Sequence, residues 1–90
     1  MSEVVDNRER HRFELEVEGV IAFASYERED GIVTFTHTIV PAKLQGRGIG
    51  SKLIKGALAV VRAEGLKVAP ECPFVRAYIE KHPEQQDLLA

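Results

Sequence analysis

Residues 11–18 alternate cleanly, with Phe13, Leu15 and Val17 on one side of the chain and Glu14, Glu16 and Glu18 on the other. A period of two is the side-chain alternation of a half-exposed antiparallel strand, so a strand is predicted over His11–Glu18 with its glutamates in solvent. Gly19 interrupts the pattern, and Val20–Glu29 reads as a second strand. Asp30 and Gly31 both tolerate positive φ and predict a hairpin turn. Ile32–Val40 follows as a third strand, rich in β-branched Val33, Thr34, Thr36, Thr38 and Ile39. The same alternation places His37 on one face with Val33, Phe35 and Ile39. No period is visible before His11, and residues 1–10 are expected to be frayed.

After Pro41 the period changes. Ile49, Leu53, Ile54, Ala57, Leu58 and Val61 recur at helical spacing across Gly48–Glu64, while Lys52, Lys55 and Arg62 fall largely on other faces. Gly65 is a natural C-terminal stop, and Leu66–Ala69 reads as a short fourth strand. Strand, helix and strand have the length of a right-handed crossover, so the third and fourth strands are expected to run parallel. Pro73 suits the first position of a second helix over Phe74–Lys81, where its missing N–H does no harm. Pro83 stops that helix, and Glu84–Leu89 adds one more turn. The order β-β-β-α-β-α defines an α+β fold: an antiparallel three-stranded meander joined through a helical crossover to one parallel strand.

Ninety residues make one domain spanning 1–90, with no linker and no second core. Apolar residues at 44% and charged residues at 29% are ordinary for a globular chain. The core is modest, which allows a monomer or a homodimer. A net charge of −2 argues against general nucleic-acid binding, and Arg8, Arg10 and Arg12 are interleaved with acids. No apolar run approaches the roughly 20 residues that span a bilayer, and the start of the chain lacks a signal-peptide apolar region. The single cysteine, Cys72, has no internal disulfide partner, so a cytoplasmic location is expected. No cluster of metal-ligand residues is visible, and no metal is expected.

The chemistry concentrates in Gln45-Gly46-Arg47-Gly48-Ile49-Gly50-Ser51. Three glycines at alternate positions let the backbone curl and leave no Cβ to keep a ligand away. The helix that follows begins with unpaired N–H groups and a positive dipole end, a ready site for phosphate oxygens. Two common glycine grammars fail. Gly46 and Gly50 are one residue too close for a Walker loop, and G-x-G-x-G is not the dinucleotide fingerprint G-x-G-x-x-G.

The spacing Q/R-x-x-G-x-G/A, with Gln45, Gly48 and Gly50 in its fixed places, resembles the acyl-CoA loop of the GNAT superfamily of N-acetyltransferases. The element order matches the core of that fold over residues 11–82. The closest resemblance is to its small, stripped-down group, through His37-Thr38-Ile39-Val40-Pro41 before the loop and Cys72-Pro73-Phe74-Val75 after strand four. Three motifs in order are far more specific than the loop alone. The resemblance implies acetyl-CoA as cofactor, with residues 45–51 on its pyrophosphate. It also implies that Thr38, Ile39 and Val40 offer backbone groups to the pantetheine arm and one N–H to the acetyl carbonyl. The implied acceptor is a primary amine on a small molecule or a protein.

Arg47 and Lys52 are either phosphate contacts or solvated charges. Tyr78 lies near the family's proton-donating tyrosine but one residue out of register: Ile79 takes the matched place, and Pro83 replaces the glycine that normally follows. Cys72 falls at the cap of the second helix, where a dipole favours the thiolate; it is either an acetyl acceptor or a small turn residue. His37 is either a base or a hydrogen-bonded structural residue. Two alternative functions stand beside acetyl transfer: a CoA-binding module without efficient turnover, and a protein-interaction domain.

Overall fold

The structure is a computed structural model that describes residues 3–90. Five strands form one sheet in the order β1-β2-β3-β4-β5: β1 (Val5–Asn7), β2 (Arg12–Val17), β3 (Val20–Glu29), β4 (Ile32–Ile39) and β5 (Lys67–Pro70). The first four are antiparallel, and β5 pairs parallel with β4. Helix α1 (Ile49–Ala63) makes the crossover, α2 (Pro73–Lys81) follows β5, and 3₁₀ turns occupy Ala42–Leu44 and Pro83–Leu88.

The alternation of β2 buries Phe13 and Leu15 against the helices, joined by Ala22, Ala24 and Tyr26 from β3, Val33 and Phe35 from β4, and Val68 from β5. The apolar stripe of α1 (Ile49, Leu53, Ile54, Ala57, Leu58, Val61) covers that face, and α2 adds Val75, Tyr78 and Ile79 to the same cluster. Helices therefore cover one side of the sheet. On the other side Val5, Ile21 and Ile39 remain exposed.

The first ten residues are not frayed from Val5 onward, which corrects one expectation; Met1 and Ser2 lie outside the described residues. Val5–Asn7 pairs with Arg12–Glu14, so the antiparallel meander has four strands instead of three. Long-range contacts hold this short strand. Asp6 accepts from the Tyr26 hydroxyl and from Arg28, and Arg8 bridges Asp6 and Glu64. Nor is the glutamate row uniformly solvated. Glu14 is half-buried, accepting from Asn7 at 3.1 Å and from Arg12 at 2.5 Å.

Candidate functional site

The site begins with an irregularity in β4. Tyr26 pairs with Phe35 and Ser25 with His37, so Thr36 is an extra residue on β4, a β-bulge. One added residue exchanges the two faces of the strand beyond it. Val33 and Phe35 point into the core, whereas His37 and Ile39 emerge on the open face and are exposed. The expectation that His37 shares the face of Val33 and Phe35 is corrected by this bulge. Thr38 turns instead toward the helices, where its Oγ1 lies 3.3 Å from the Sγ of Cys72.

Pairing between β4 and β5 stops at Phe35 and Pro70, while pairing between β4 and β3 runs on to Ile39. The N–H of Cys72 closes the parallel register on the carbonyl of Phe35 at 2.9 Å. Beyond that bond the two strands part, and one edge of residues 36–39 loses its neighbour.

The glycine loop stands above this split. A 3₁₀ turn, closed by Leu44 N–H on Pro41 C=O and Gln45 N–H on Ala42 C=O, buries Leu44 as an anchor. Gln45 folds its side chain back, and its Nε2 donates to the carbonyl of Val40 at 3.1 Å. Gly46 and Gly48 take φ of +79° and +70°, left-handed values that a side chain would strain. Gly48 caps α1, whose first backbone bond runs from Lys52 N–H to Gly48 C=O. Among the described residues, no well-formed backbone bond engages the N–H groups of residues 46–51.

These amides border a cleft of about 410 Å³ lined by Thr38, Val40, Leu44, Gln45, Gly46, Gly48, Ile49, Gly50, Ser51 and Phe74. A Cβ built on Gly46 or Gly48 would meet nothing within 4 Å, so a ligand can approach the backbone there. Gly50 has the opposite surroundings: a Cβ would come within 2.7 Å of the Phe74 ring. That ring, 42% exposed, closes one side of the cleft.

The cleft thus gathers eight of the residues assigned from sequence: Thr38, Val40, Gln45, Gly46, Gly48, Ile49, Gly50 and Ser51. Ile39 and Arg47 are not in its lining. Arg47 turns away and pairs with Glu18 at 2.8 Å, holding that carboxyl below its usual range. Leu44 and Phe74 were not assigned to the site. Leu44 was signalled only as the lone large apolar residue of its turn, and Phe74 only as an aromatic directly after a helix-starting proline.

Cys72 caps α2 as expected and is buried, with Pro73 at the first helical position. Its partner Thr38 lines the cleft, so the thiol lies behind the cleft's inner wall. Tyr78 lies elsewhere, stacked on His82 with ring centroids 3.9 Å apart. Burial is the main cause that raises its hydroxyl pKa, followed by the charge of Glu84. Among the described residues no group of three or more His, Cys, Asp or Glu side chains is arranged to hold a metal. No helix among the described residues is long and apolar enough to cross a membrane.

Residues 12–88 match the family model described as GCN5-related N-acetyl-transferase. The NMR solution structure of a GCN5-like protein from Staphylococcus aureus superposes with a TM-score of 0.74 at 26% identity, covering 98% of this chain and 87% of that one. No curated protein matches the chain.

Proposed function

Because this chain belongs to the GCN5-related N-acetyltransferase family, we propose that it moves the acetyl group of acetyl-CoA onto a primary amine. The observation that carries this reading is the run of unengaged amides at residues 46–51, opening on a cleft that leads to Thr38. Such amides at a helix start suit a pyrophosphate. The apolar walls given by Val40, Leu44, Ile49 and Phe74 suit the pantetheine arm. Acetyl-CoA, when bound, supplies an activated thioester.

The unpaired edge of β4 beyond Phe35 offers a backbone N–H to the carbonyl oxygen as negative charge develops there. Such a donor contributes on the order of a few kcal/mol. The Thr38 hydroxyl lines the cleft and would orient the Cys72 sulfur behind it; a thiol that reached the thioester would take the acetyl group, its proton leaving with the CoA sulfur. The amine nitrogen then takes the acetyl group and its proton passes to the cysteine sulfur as that bond breaks; His37, turned by the bulge to the face of the sheet opposite Cys72, has no part in that exchange. The acceptor is a small-molecule or protein amine, the protein works as a monomer or homodimer, and its free thiol suits the cytoplasm.

Incubation with acetyl-CoA and a panel of primary amines, followed by mass spectrometry, tests the assignment. Expected are acetylated amine, and acetyl on Cys72 when the amine is withheld. Retained rate in Cys72→Ala would remove the thiol from the path. A second reading, CoA binding without efficient turnover, is favoured by the position of Tyr78 outside the cleft. Calorimetric CoA binding with no product from any amine would establish it. No heat at millimolar CoA would leave a protein-interaction role.

A further inference from the structure

Arg47 sits between two glycines that line the cleft, yet its own side chain points the other way. Its Nη1 and Nη2 donate to the two carboxylate oxygens of Glu18 at 3.4 and 2.8 Å, a two-point contact between residues far apart in sequence. The pair borders a second cleft of about 380 Å³ between the end of β2 and the start of α1. Glu18 is itself held in place. It occupies the β2–β3 turn at φ +53°, next to the closing pair Val17 and Val20. The loop is less constrained, because Gly46 and Gly48 bring the widest backbone freedom of any residue.

We propose that Arg47 is a positioning residue: with Glu18 it clamps the glycine loop to the β2–β3 turn, keeping the Gly46 and Gly48 amides aimed into the cleft. This rests on the reading of the loop as the CoA pyrophosphate site. The physical effect is preorganisation, since a loop already ordered loses less entropy when a ligand arrives. Glu18 is ionised at neutral pH as any exposed glutamate is, and the hydrogen bond and charge of Arg47 hold its carboxyl below the ordinary range. Both partners are largely exposed, so the expected effect is small.

The alternative role for Arg47, a direct phosphate contact, has the opposite sign at Glu18. Were Arg47 to swing over to the pyrophosphate, Glu18 would compete for it, and Glu18→Gln would tighten CoA binding. Under the clamp, Glu18→Gln weakens CoA binding by about two- to fivefold in calorimetry on the whole chain, with the melting temperature nearly unchanged. Arg47→Gln weakens it similarly, and the double variant by no more than either single one. Tighter binding in Glu18→Gln, or additive losses, would overturn the clamp.

A measurement without ligand separates this idea from the pyrophosphate reading itself. NMR order parameters of the residue 46–48 amides are expected to fall in Glu18→Gln and in Arg47→Glu. They should recover when Arg47→Glu is combined with Glu18→Arg. Unchanged order parameters would refute the clamp whether or not CoA binds. Absence of CoA heat in the unaltered chain, with the NMR pattern as expected, would instead refute the pyrophosphate reading and leave the clamp standing.

Discussion

At the β1 edge of the sheet, Asp6, Arg8, Tyr26, Arg28 and Glu64 hold one another through charged hydrogen bonds. At the β4–β5 end, Gly46, Gly48, Ile49, Gly50 and Ser51, whose amides have no well-formed backbone partner, border a cleft together with an exposed phenyl ring. Both regions solve the problem of a sheet meeting the end of α1, but in opposite ways. Near the helix C-terminus, Glu64 is brought under Arg28 at 2.7 Å, and the first strand is bound to the rest. Near the helix N-terminus the donors are left unmatched. A small domain has few hydrogen bonds to spare. The proposed site therefore lies where backbone donors lack well-formed partners, and opposite it stands a charged network in which, among the described residues, Arg28 Nε alone is buried without a partner.

The sharpest way to break this contrast is to titrate the closed end. Burial, followed by its hydrogen bond to Asp6, pushes the Tyr26 hydroxyl from 10.0 up to about 12. A phenol whose pKa is raised in the folded state stabilises that state at pH values below 10, and the contribution disappears as pH rises through the folded value. Ionised Tyr26 would face the Asp6 carboxylate with like charge. Between pH 10 and 12 the protein should lose on the order of 2 kcal/mol relative to Tyr26→Phe, measured by urea unfolding at each pH. Parallel pH profiles for the two proteins would show that the β1 edge is not held by this bond.

At the open end, the expected effect on the fold is smaller and the effect on binding is specific. Gly48→Ala forces a side chain into φ of +70° and should cost about 1 kcal/mol of stability. The methyl meets no protein atom within 4 Å, so under the proposed function it stands where a pyrophosphate would approach. Loss of one charge-assisted amide contact predicts CoA affinity lower by about tenfold or more. Unfolding and calorimetry on the same sample separate the two losses. Unaltered affinity at reduced stability would reassign the glycine to simple loop geometry.

How far each end was legible in the sequence follows from how local its causes are. Strands β2, β3 and β4, helix α1 and the loop are written in short-range patterns: alternation at Phe13 and Leu15, helical spacing from Ile49 to Val61, three glycines in five residues. The cap position of Cys72 was legible for the same reason, because Pro73 names the first turn by itself. Strand β1 was not, because three residues are too few to show a period, and the partners that tie Asp6 to the rest of the sheet, Tyr26 and Arg28, are twenty or more positions away. The bulge was hidden as well. Thr36 is an ordinary β-former, and only the register against Ser25 and Tyr26 makes it the extra residue. The direction of His37 was lost with it. Sequence leaves Arg47 open between a phosphate contact and a solvated charge, because Glu18, with which it pairs, arrives from a turn twenty-nine residues earlier.

The smallest effect probes how firmly the closed end is shut. Gly56 lies in the middle of α1, where alanine would ordinarily gain about 1 kcal/mol in helix propensity. A Cβ at this position would run into the side chain of Val4, just ahead of β1. Two contributions of similar size therefore oppose each other, and the melting temperature of Gly56→Ala should barely move. The compensation should be visible elsewhere, as faster hydrogen exchange in Val5–Asn7, because the segment bearing Val4 has to retreat. Trimming the obstacle makes the test decisive. Because the Val4 Cβ is itself part of the obstacle, the background is Val4→Gly: relative to Val4→Gly alone, the pair Val4→Gly with Gly56→Ala should recover the full propensity gain of about 1 kcal/mol. A clear gain from Gly56→Ala in the unaltered background would mean that the first strand gives way at no cost, and that the two ends of the molecule differ less than their hydrogen bonds imply.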